Sequence, residues 1–200
     1  MNGGTLPVLR IVLLAAGFSR RLGRPKALAR VRGVALLRRT LVVLGPFAGS
    51  WPIIVVVPPA AARFRQAAKG LPASWVVNRR RATGMASSLR TGLRRARYSA
   101  GALILPVDLA ALAGRDIARL VRRWKGARRK VVARLVEGGP AVPLVLPHGC
   151  YPCTGRITGD QGLRGVLRGL SPQYVLLEPL ASAQFDVDTP ADLARARRGY

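Results

Sequence analysis

The stretch that decides the fold lies near the start of the chain, where residues 8–26 read VLRIVLLAAGFSRRLGRPK. Residues 8–15 form an apolar run that only Arg10 interrupts, a pattern typical of a β-strand buried on both faces of a sheet. Residues 17–26 form a polar, basic loop with two glycines. A buried strand that runs directly into such a loop indicates an α/β protein, because ligand-binding loops follow the carboxyl ends of strands in these folds.

Strands and helices alternate along the rest of the sequence. Apolar and β-branched runs predict further strands at 52–57, 74–77, 101–107, 130–136, 142–146 and 174–177. Apolar residues at helical spacing, together with helix start and stop signals, predict helices at 35–44, 60–69, 84–97, 117–124 and 160–170, with a last one starting at 188–192. This alternation predicts a Rossmann-like, three-layer α/β sandwich with a mainly parallel sheet. Functional residues are therefore expected in the loops after Ala16, Val77 and Val107.

Size and composition fit one globular domain. The chain has 200 residues, of which 50% are hydrophobic, enough to bury a sizeable core. No apolar run approaches the roughly 20 residues of a membrane-spanning helix. No basic residue precedes Arg10, and Arg20 and Arg21 follow the first apolar run where a secretory signal would be cleaved. We expect a single domain over residues 1–200, with its core at about 8–197, in a cytoplasmic protein with no membrane partner.

The charge is strongly basic. Lys and Arg number 34 and Asp and Glu number 8, which gives a net charge of +26. Such a chain attracts nucleotides, nucleic acids and acidic surfaces, more strongly at low salt. The arginines are spread along the chain in clusters such as 79–81 and 94–95, which is typical of a solvated surface. We expect weak, non-specific binding to nucleic acid.

The two cysteines, Cys150 and Cys153, exclude a disulfide framework. With His148, the only histidine in the chain, they offer three soft ligands. A structural zinc site normally has four, so two incidental thiols are the simpler interpretation.

The loop at residues 17–26 contains the groups of a phosphate site. Gly17 and Gly23 allow the backbone to turn with its N–H groups pointing inward, as in an anion nest. Arg21 and Lys26 place positive charge beside it. Neither the Walker pattern nor G-x-G-x-x-G is present, which excludes the ordinary phosphate-loop and dinucleotide sites. A basic surface turn would not need this whole combination of residues.

The same loop resembles the L-A-A-G-x-S-x-R-x-G-x-P-K signature of the molybdopterin-nucleotidyltransferase-like family, and within it the molybdenum cofactor cytidylyltransferases. Other segments resemble the family's motifs in the same order along the chain: Asn78 with GMASSLRTGL at 84–93, LILPVD at 103–108, PLVL at 143–146 with GDQGLR at 159–164, and FDVDTPADL at 185–193. The resemblance spans about residues 8–197.

This resemblance implies a fold of the nucleotide-diphospho-sugar-transferase type and an Mg²⁺-dependent nucleotidyltransferase of molybdenum cofactor biosynthesis. Such an enzyme moves a nucleoside monophosphate from an NTP, here most simply CTP, to a phosphate monoester, most simply molybdopterin, and releases pyrophosphate. A molybdoenzyme would be its client. The implied catalytic residues are Arg21, Lys26 and Asp108. The implied nucleotide-binding residues are Leu14, Ala15, Ala16, Gly17, Ser19, Arg21, Gly23, Lys26, Asn78, Ser87 and Ser88.

Nucleotidyl transfer requires a neutralised triphosphate, a divalent metal between the phosphates and an in-line arrangement. Asp108, at the carboxyl end of an apolar strand, is the best candidate for an Mg²⁺ ligand. Asp188 or Asp186 could be the second, because carboxylate oxygens suit this ion. Ser87 and Ser88, at a helix start, could contact the base, the ribose or the acceptor. As structural alternatives, Asp108 could simply cap its strand and Asp188 the helix that follows it.

The sequence also departs from the family pattern. The usual Asp-Met-Pro is Asp108-Leu109-Ala110, which removes the conformational restraint of the proline. Asp160 precedes a predicted helix, where a capping role is the simpler interpretation. Three alternatives therefore stay open: the same chemistry with GTP or a sugar phosphate, an inactive relative, and a basic binder of anions or nucleic acid. Only 6% of the residues are aromatic, and nucleic-acid binders need interleaved aromatics, so we favour the enzyme.

Overall fold

The structure, a computed structural model, describes residues 9–157, 159, 163, 167 and 169–199. Its strands are β1 (Leu9–Leu14), β2 (Arg30–Val31), β3 (Val34–Ala35), β4 (Ile53–Val57), β5 (Ser74–Val77), β6 (Gly101–Pro106), β7 (Val131–Val136), β8 (Gly139–Pro147) and β9 (Val175–Glu178). Its helices are α1 (Leu36–Leu44), α2 (Ala61–Ala67), α3 (Met85–Arg95), α4 (Gly114–Lys125) and α5 (Pro190–Arg198). Most of the helix predicted at 160–170, with Asp160, lies outside the described residues.

Seven strands form one sheet in the order β5-β4-β1-β6-β8-β7-β9. Neighbouring strands are parallel except for β8, which is antiparallel to both β6 and β7. The two-residue turn Glu137–Gly138 joins β7 to β8, and Gly138 has the positive φ of 84° that such a tight turn favours. The predicted, mainly parallel sheet is therefore confirmed, with one antiparallel strand that the sequence analysis did not identify.

Helices cover both faces of this sheet. One core contains apolar side chains of α1, α2 and α4, and the other contains those of α3. Side chains of β1 alternate between the two cores, Ile11 and Leu13 facing the first and Val12 the second. The predicted three-layer arrangement is confirmed.

Helix α3 lies unusually close to the sheet at Gly92. A Cβ atom at this position would lie 2.3 Å from Val12 Cγ1 and 3.1 Å from Val56 Cγ2. Only a residue without a side chain permits this approach, which fixes the start of α3 at the carboxyl edge of β1 and β4.

A third, smaller apolar cluster joins the loop after β1 to the C-terminal helix. It contains, among others, Leu22 from the loop, Val31 from β2, Val187 and Leu193 of α5. The small β2–β3 hairpin, which the sequence analysis did not predict, contributes to this cluster. Packing here holds the glycine-bearing loop against the segment that carries Asp188.

No helix in the described part of the chain is long and apolar enough to cross a bilayer.

Candidate active site

The loop after β1 is built around Ser19. This residue has a left-handed conformation, with φ 54°, and so does Gly23, with φ 71°. Ser19 Oγ accepts a hydrogen bond from the Lys26 N–H at 3.0 Å, and Ser19 O accepts from the N–H groups of Leu22 and Gly23. The N–H groups of Leu22, Gly23 and Lys26 are therefore already hydrogen-bonded within the loop and do not point to an anion. An anion nest in the part of the loop that begins at Gly17 stays a prediction.

The loop forms one wall of a cleft of about 390 Å³ at the carboxyl ends of β1 and β6. The predicted site residues that line it are Leu14, Ala15, Ala16, Gly17, Ser19, Arg21, Lys26, Ser88, Asp108 and Asp188. Three predicted nucleotide-binding residues, Gly23, Asn78 and Ser87, are not part of its lining. Residues far apart in the sequence thus meet at the edge of the sheet where ligands of α/β proteins bind.

Backbone pairing brings the two predicted metal ligands together. Leu109 and Asp186 form an isolated antiparallel bridge, and the Val187 N–H donates to Asp108 O at 3.0 Å. Asp188 is thereby placed beside Asp108. Leu109 and Ala110, which replace the family's Met and Pro, are both buried, so the loop after β6 is held without the proline.

Lys26 connects the two aspartates. Its Nζ donates to Asp108 Oδ2 at 2.8 Å and also to Asp188 Oδ1. Arg21 Nη2 donates to the other oxygen of Asp188 at 2.7 Å. The three residues with predicted catalytic roles therefore form one charged group with Asp188.

Lys26 keeps its positive charge in this group. Burial has the largest single effect on the pKa of Lys26 and lowers it, but the attraction of Asp108 and its hydrogen bond, with those of Asp188, more than compensate. The net pKa of Lys26 is raised above its usual value, so the ammonium stays protonated at neutral pH.

The same carboxylates fit a divalent metal. Asp108 and Asp188 present hard oxygen ligands and already share one cation, the Lys26 ammonium. Among the described residues, no three His, Cys, Asp or Glu side chains form a group that could hold a metal ion. A magnesium-type ion here would therefore take its other ligands from phosphate and water oxygens, as is usual for Mg²⁺.

Asp186, the alternative metal ligand, has a different neighbour. Its Oδ1 lies 3.6 Å from Nη1 of Arg134, a buried arginine on β7. The Lys26 ammonium contacts Asp108 and Asp188 instead. The geometry therefore favours Asp188 over Asp186 as the partner of Asp108.

The interpretation of Asp188 as a helix cap is wrong. Thr189 is the N-cap of α5, and its Oγ1 accepts from the Asp192 N–H at 3.2 Å. Asp192 Oδ2 accepts in return from the N–H groups of Thr189 and Asp188, at 2.9 and 3.1 Å. This capping box leaves the Asp188 carboxylate directed to Lys26 and Arg21.

Asn78 organises the opposite wall of the cleft. It is 2% exposed, and its Nδ2 donates to Ser87 Oγ at 2.8 Å and to Ser88 Oγ at 2.9 Å. Ser87 Oγ donates to Gly84 O. These bonds tie the end of β5 to the first turn of α3, and a direct contact of Asn78 or Ser87 with a nucleotide stays a prediction.

Eight residues that line the cleft were not among the predicted site residues: Phe18, Arg20, Ala27, Arg81, Gly84, Met85, Pro106 and Val107. Phe18 occupies an unspecified position of the family signature, and Arg81 belongs to the arginine cluster interpreted as a solvated surface. Phe18 is the only aromatic residue in the loop at 17–26, and this was the one available signal.

The cysteine pair lies elsewhere. Cys150 and Cys153 are free thiols in the 3-10 helix His148–Arg156. Burial raises the pKa of the Cys150 thiol, which disfavours the reactive thiolate.

The chain is similar to known proteins over most of its length. The family described as MobA-like NTP transferase domain matches residues 11–175. A nicotine blue oxidoreductase from Paenarthrobacter nicotinovorans is 32% identical over 178 residues, which cover 84% of this chain and 85% of that protein.

Solved structures share the fold. Rv0371c from Mycobacterium tuberculosis H37Rv superposes with a TM-score of 0.80 at 26% identity, over 98% of this chain and 100% of that one. The same protein in complex with manganese gives 0.74 at 24% identity, over 96% and 99%. Molybdopterin-guanine dinucleotide biosynthesis protein A from Archaeoglobus fulgidus gives 0.74 at 16% identity, over 94% and 97%. The nucleotide-diphospho-sugar-transferase type of fold is confirmed.

Proposed function

The chain belongs to the MobA-like NTP transferase domain family and is a nucleotidyltransferase, and we propose that it transfers a nucleoside monophosphate from an NTP to a phosphate monoester with the help of Mg²⁺. The observation that carries this proposal is the position of Lys26, at the end of the basic loop after β1, between the carboxylates of Asp108 and Asp188 in the cleft. A metal–triphosphate complex contains a cation and a polyanion, so it can bind where carboxylates and basic side chains lie side by side.

In this reaction an oxygen of the acceptor phosphate attacks the α-phosphorus of the NTP. The bond from that phosphorus to the bridging oxygen of the β-phosphate breaks, and pyrophosphate leaves with the electron pair. A phosphate monoester is largely a dianion at neutral pH, since its second pKa is about 6. The acceptor therefore needs no general base, and the lack of a histidine in the cleft is no obstacle.

The residues divide the work by charge. Asp108 and Asp188 would hold a divalent ion, which would neutralise charge that develops on the phosphates. Lys26 and Arg21 turn from these carboxylates to the triphosphate and the departing pyrophosphate. The backbone bridge between buried Leu109 and Asp186 keeps the Asp108 loop in place, which supports an active enzyme over an inactive relative.

CTP and molybdopterin are the substrates we favour, on the resemblance to the cytidylyltransferases. The structure from Archaeoglobus fulgidus is of a protein for molybdopterin-guanine dinucleotide, so GTP is the first alternative donor. We place the reaction in the cytoplasm, with a molybdoenzyme as the final recipient of the product.

A redox activity is the second candidate function. The observation that favours it is the 32% identity to a nicotine blue oxidoreductase. The cleft has cationic groups that could hold the phosphates of a reduced nicotinamide nucleotide as the electron donor. This candidate predicts consumption of that nucleotide with nicotine blue and no release of pyrophosphate.

Pyrophosphate release tests the proposal. The purified chain is incubated with each of the four NTPs, molybdopterin, and Mg²⁺ or Mn²⁺. We expect release with one NTP above the others, and Lys26→Ala or Arg21→Ala should weaken NTP binding by roughly 1.5–3 kcal/mol each. Exposed Arg79→Ala serves as the charge-matched control.

Two results would count against the proposal. NTP binding without any release of pyrophosphate would indicate an inactive relative. Oxidation of a reduced nicotinamide nucleotide by nicotine blue, without pyrophosphate, would establish the second candidate.

A further inference from the structure

Two large apolar side chains are exposed inside the cleft. Phe18, in the loop after β1, is 41% exposed, and Met85, the first residue of α3, is 51% exposed. Both line the cleft. Single exposed apolar residues are ordinary on a protein surface, but an aromatic ring and a thioether exposed inside one cleft indicate a ligand with an apolar face.

Arg81 reaches the ring of Phe18 from the opposite wall. Its Cζ lies 4.1 Å from the ring centroid, within the range of a cation–π contact, and the Cζ of Arg20 lies 5.5 Å from the same centroid. Arg81 begins the 3-10 helix that precedes α3, whereas Phe18 belongs to the loop after β1. The contact therefore joins the two walls of the cleft.

The pair has the chemistry of a stacking surface. A guanidinium plane and an aromatic ring both stack on flat heteroaromatic rings, and proteins use both to hold unpaired bases. Arg81 and Phe18 occupy the same cleft as Arg21 and Lys26, so a molecule with a flat ring and a polyphosphate could engage both pairs at once.

We propose that Phe18 and Arg81 bind the base of the nucleotide by stacking, while Arg21 and Lys26 hold its triphosphate. This inference rests on the proposed function, since it requires an NTP in this cleft. Stacking accepts any base, because every base has a π face. The pair therefore adds affinity for the base as such, and polar groups at the base edge determine which base is used.

Charge alone is the competing explanation for Arg81. Arg79 distinguishes a charge effect from a stacking effect. It lies two residues from Arg81, carries the same charge and is exposed, yet it is not part of the cleft lining. A purely electrostatic role would make Arg79→Ala and Arg81→Ala alike. If Arg81 stacks on the base, Arg81→Ala should weaken the binding of ligands that have a base more than the binding of ligands without one, and Arg79→Ala should not.

Calorimetric titration with CTP, GTP and inorganic tripolyphosphate, at fixed salt and Mg²⁺, tests this inference. We expect Phe18→Ala to raise the Kd of both NTPs about tenfold and to leave that of tripolyphosphate within about twofold. Phe18→Tyr, which keeps the ring, should bind like the wild type. Arg81→Ala should weaken NTP binding more than tripolyphosphate binding, and Arg79→Ala should affect all three ligands equally and slightly.

Several outcomes would overturn the inference. Unchanged NTP affinity in Phe18→Ala would do so, as would equal losses for NTP and tripolyphosphate. Weaker binding of molybdopterin alone would assign the pair to the acceptor instead. If the wild-type chain binds tripolyphosphate as tightly as any NTP, only this inference is overturned. If it binds neither ligand, the proposed function is overturned as well. Thermal melts verify that each variant is folded.

Discussion

At the scale of single residues, the site depends on Lys26, whose ammonium is shared by two carboxylates. Its ammonium contacts Asp108 and Asp188, and without a cation between them these carboxylates would repel each other. Lys26 and Asp108 are largely shielded from water, with side chains 16% and 18% exposed, so their interaction is only weakly screened by salt. A lysine in this position stabilises the site by holding the two carboxylates together.

The first prediction concerns Asp108→Asn, which keeps the size of the side chain and removes its charge. Turnover should fall by at least about 100-fold, because loss of metal stabilisation costs several kcal/mol and each ~1.4 kcal/mol is tenfold in rate. NTP binding should fall much less, since Arg21 and Lys26 remain. Single-turnover pyrophosphate release across an Mg²⁺ titration measures both.

Asp186→Asn is the matched control for this prediction, because its carboxylate lies beside Arg134. It should lose much less activity than Asp108→Asn. Near-normal turnover in a folded Asp108→Asn protein would exclude Asp108 as the metal ligand.

At the scale of elements, two contacts position the cleft: the close approach of α3 to the sheet and the capping of α5. Gly92 sets the first, because a side chain there would collide with Val12. Thr189 and Asp192 set the second, and the same Asp192 oxygen holds the Asp188 N–H. Both contacts lie next to residues of the cleft, so damage to either should affect stability and the site together.

Gly92→Ala should destabilise the fold by about 1–3 kcal/mol, the usual cost of an added methyl group in a filled core. Gly114→Ala is the control, since the nearest atoms to its added Cβ lie 3.9 Å away or more, and it begins a helix. That control should be neutral or gain up to about 1 kcal/mol. Denaturant unfolding measures both variants, and equal stability of the two would contradict the packing described for α3.

Thr189→Ala should cost about 1 kcal/mol, because the N-cap acceptor of α5 is lost. The melting temperature should fall by roughly 2–4 °C for a domain of this size. Thr91→Ala is the control: this hydroxyl lies within α3 and donates to Ser87 O, so alanine should be tolerated there. A larger loss of stability in Thr91→Ala than in Thr189→Ala would contradict the assignment of Thr189 as the N-cap.

Much of this level of structure could be predicted from the sequence, because apolar periodicity and glycine or proline signals are local. The strand Ser74–Val77 was predicted with its observed bounds, and α1 and β4 differ by one residue at their starts. The antiparallel direction of β8 follows from the two-residue turn Glu137–Gly138. The predicted strand bounds, 130–136 and 142–146, left a longer loop there, so the hairpin was not recognised. The bridge between Leu109 and Asp186 and the contact of Arg81 with Phe18 join residues that are distant in sequence. For this reason only the resemblance to a family indicated that Asp108 and Asp188 lie in one site.

At the scale of the whole molecule, positive charge dominates. The net charge is +26, and the described aspartates at the cleft, Asp108 and Asp188, are paired with Lys26 and Arg21. The remaining arginines create a positive field that concentrates anionic nucleotides near the protein. The same field acts on any polyanion.

We therefore expect weak binding to single-stranded nucleic acid, independent of sequence and lost as salt rises. Fluorescence anisotropy of labelled oligonucleotides between about 50 and 200 mM salt gives the slope, which counts the phosphates contacted. Excess NTP should compete only in part, because most arginines lie outside the cleft. Tight and sequence-selective binding at physiological salt would instead favour a nucleic-acid function.

The bridge between Leu109 and Asp186 has a consequence for the order in which the protein is made. Every strand of the large sheet precedes residue 179, but the second carboxylate of the site comes later, at Asp188. A ribosome-bound chain that has exposed only its first nine strands can build the sheet and the basic loop, yet it lacks the segment that pairs with Asp108. The sheet and the basic loop can therefore form before Asp188 is synthesised, and a nascent chain that ends before this residue lacks the second carboxylate of the candidate site.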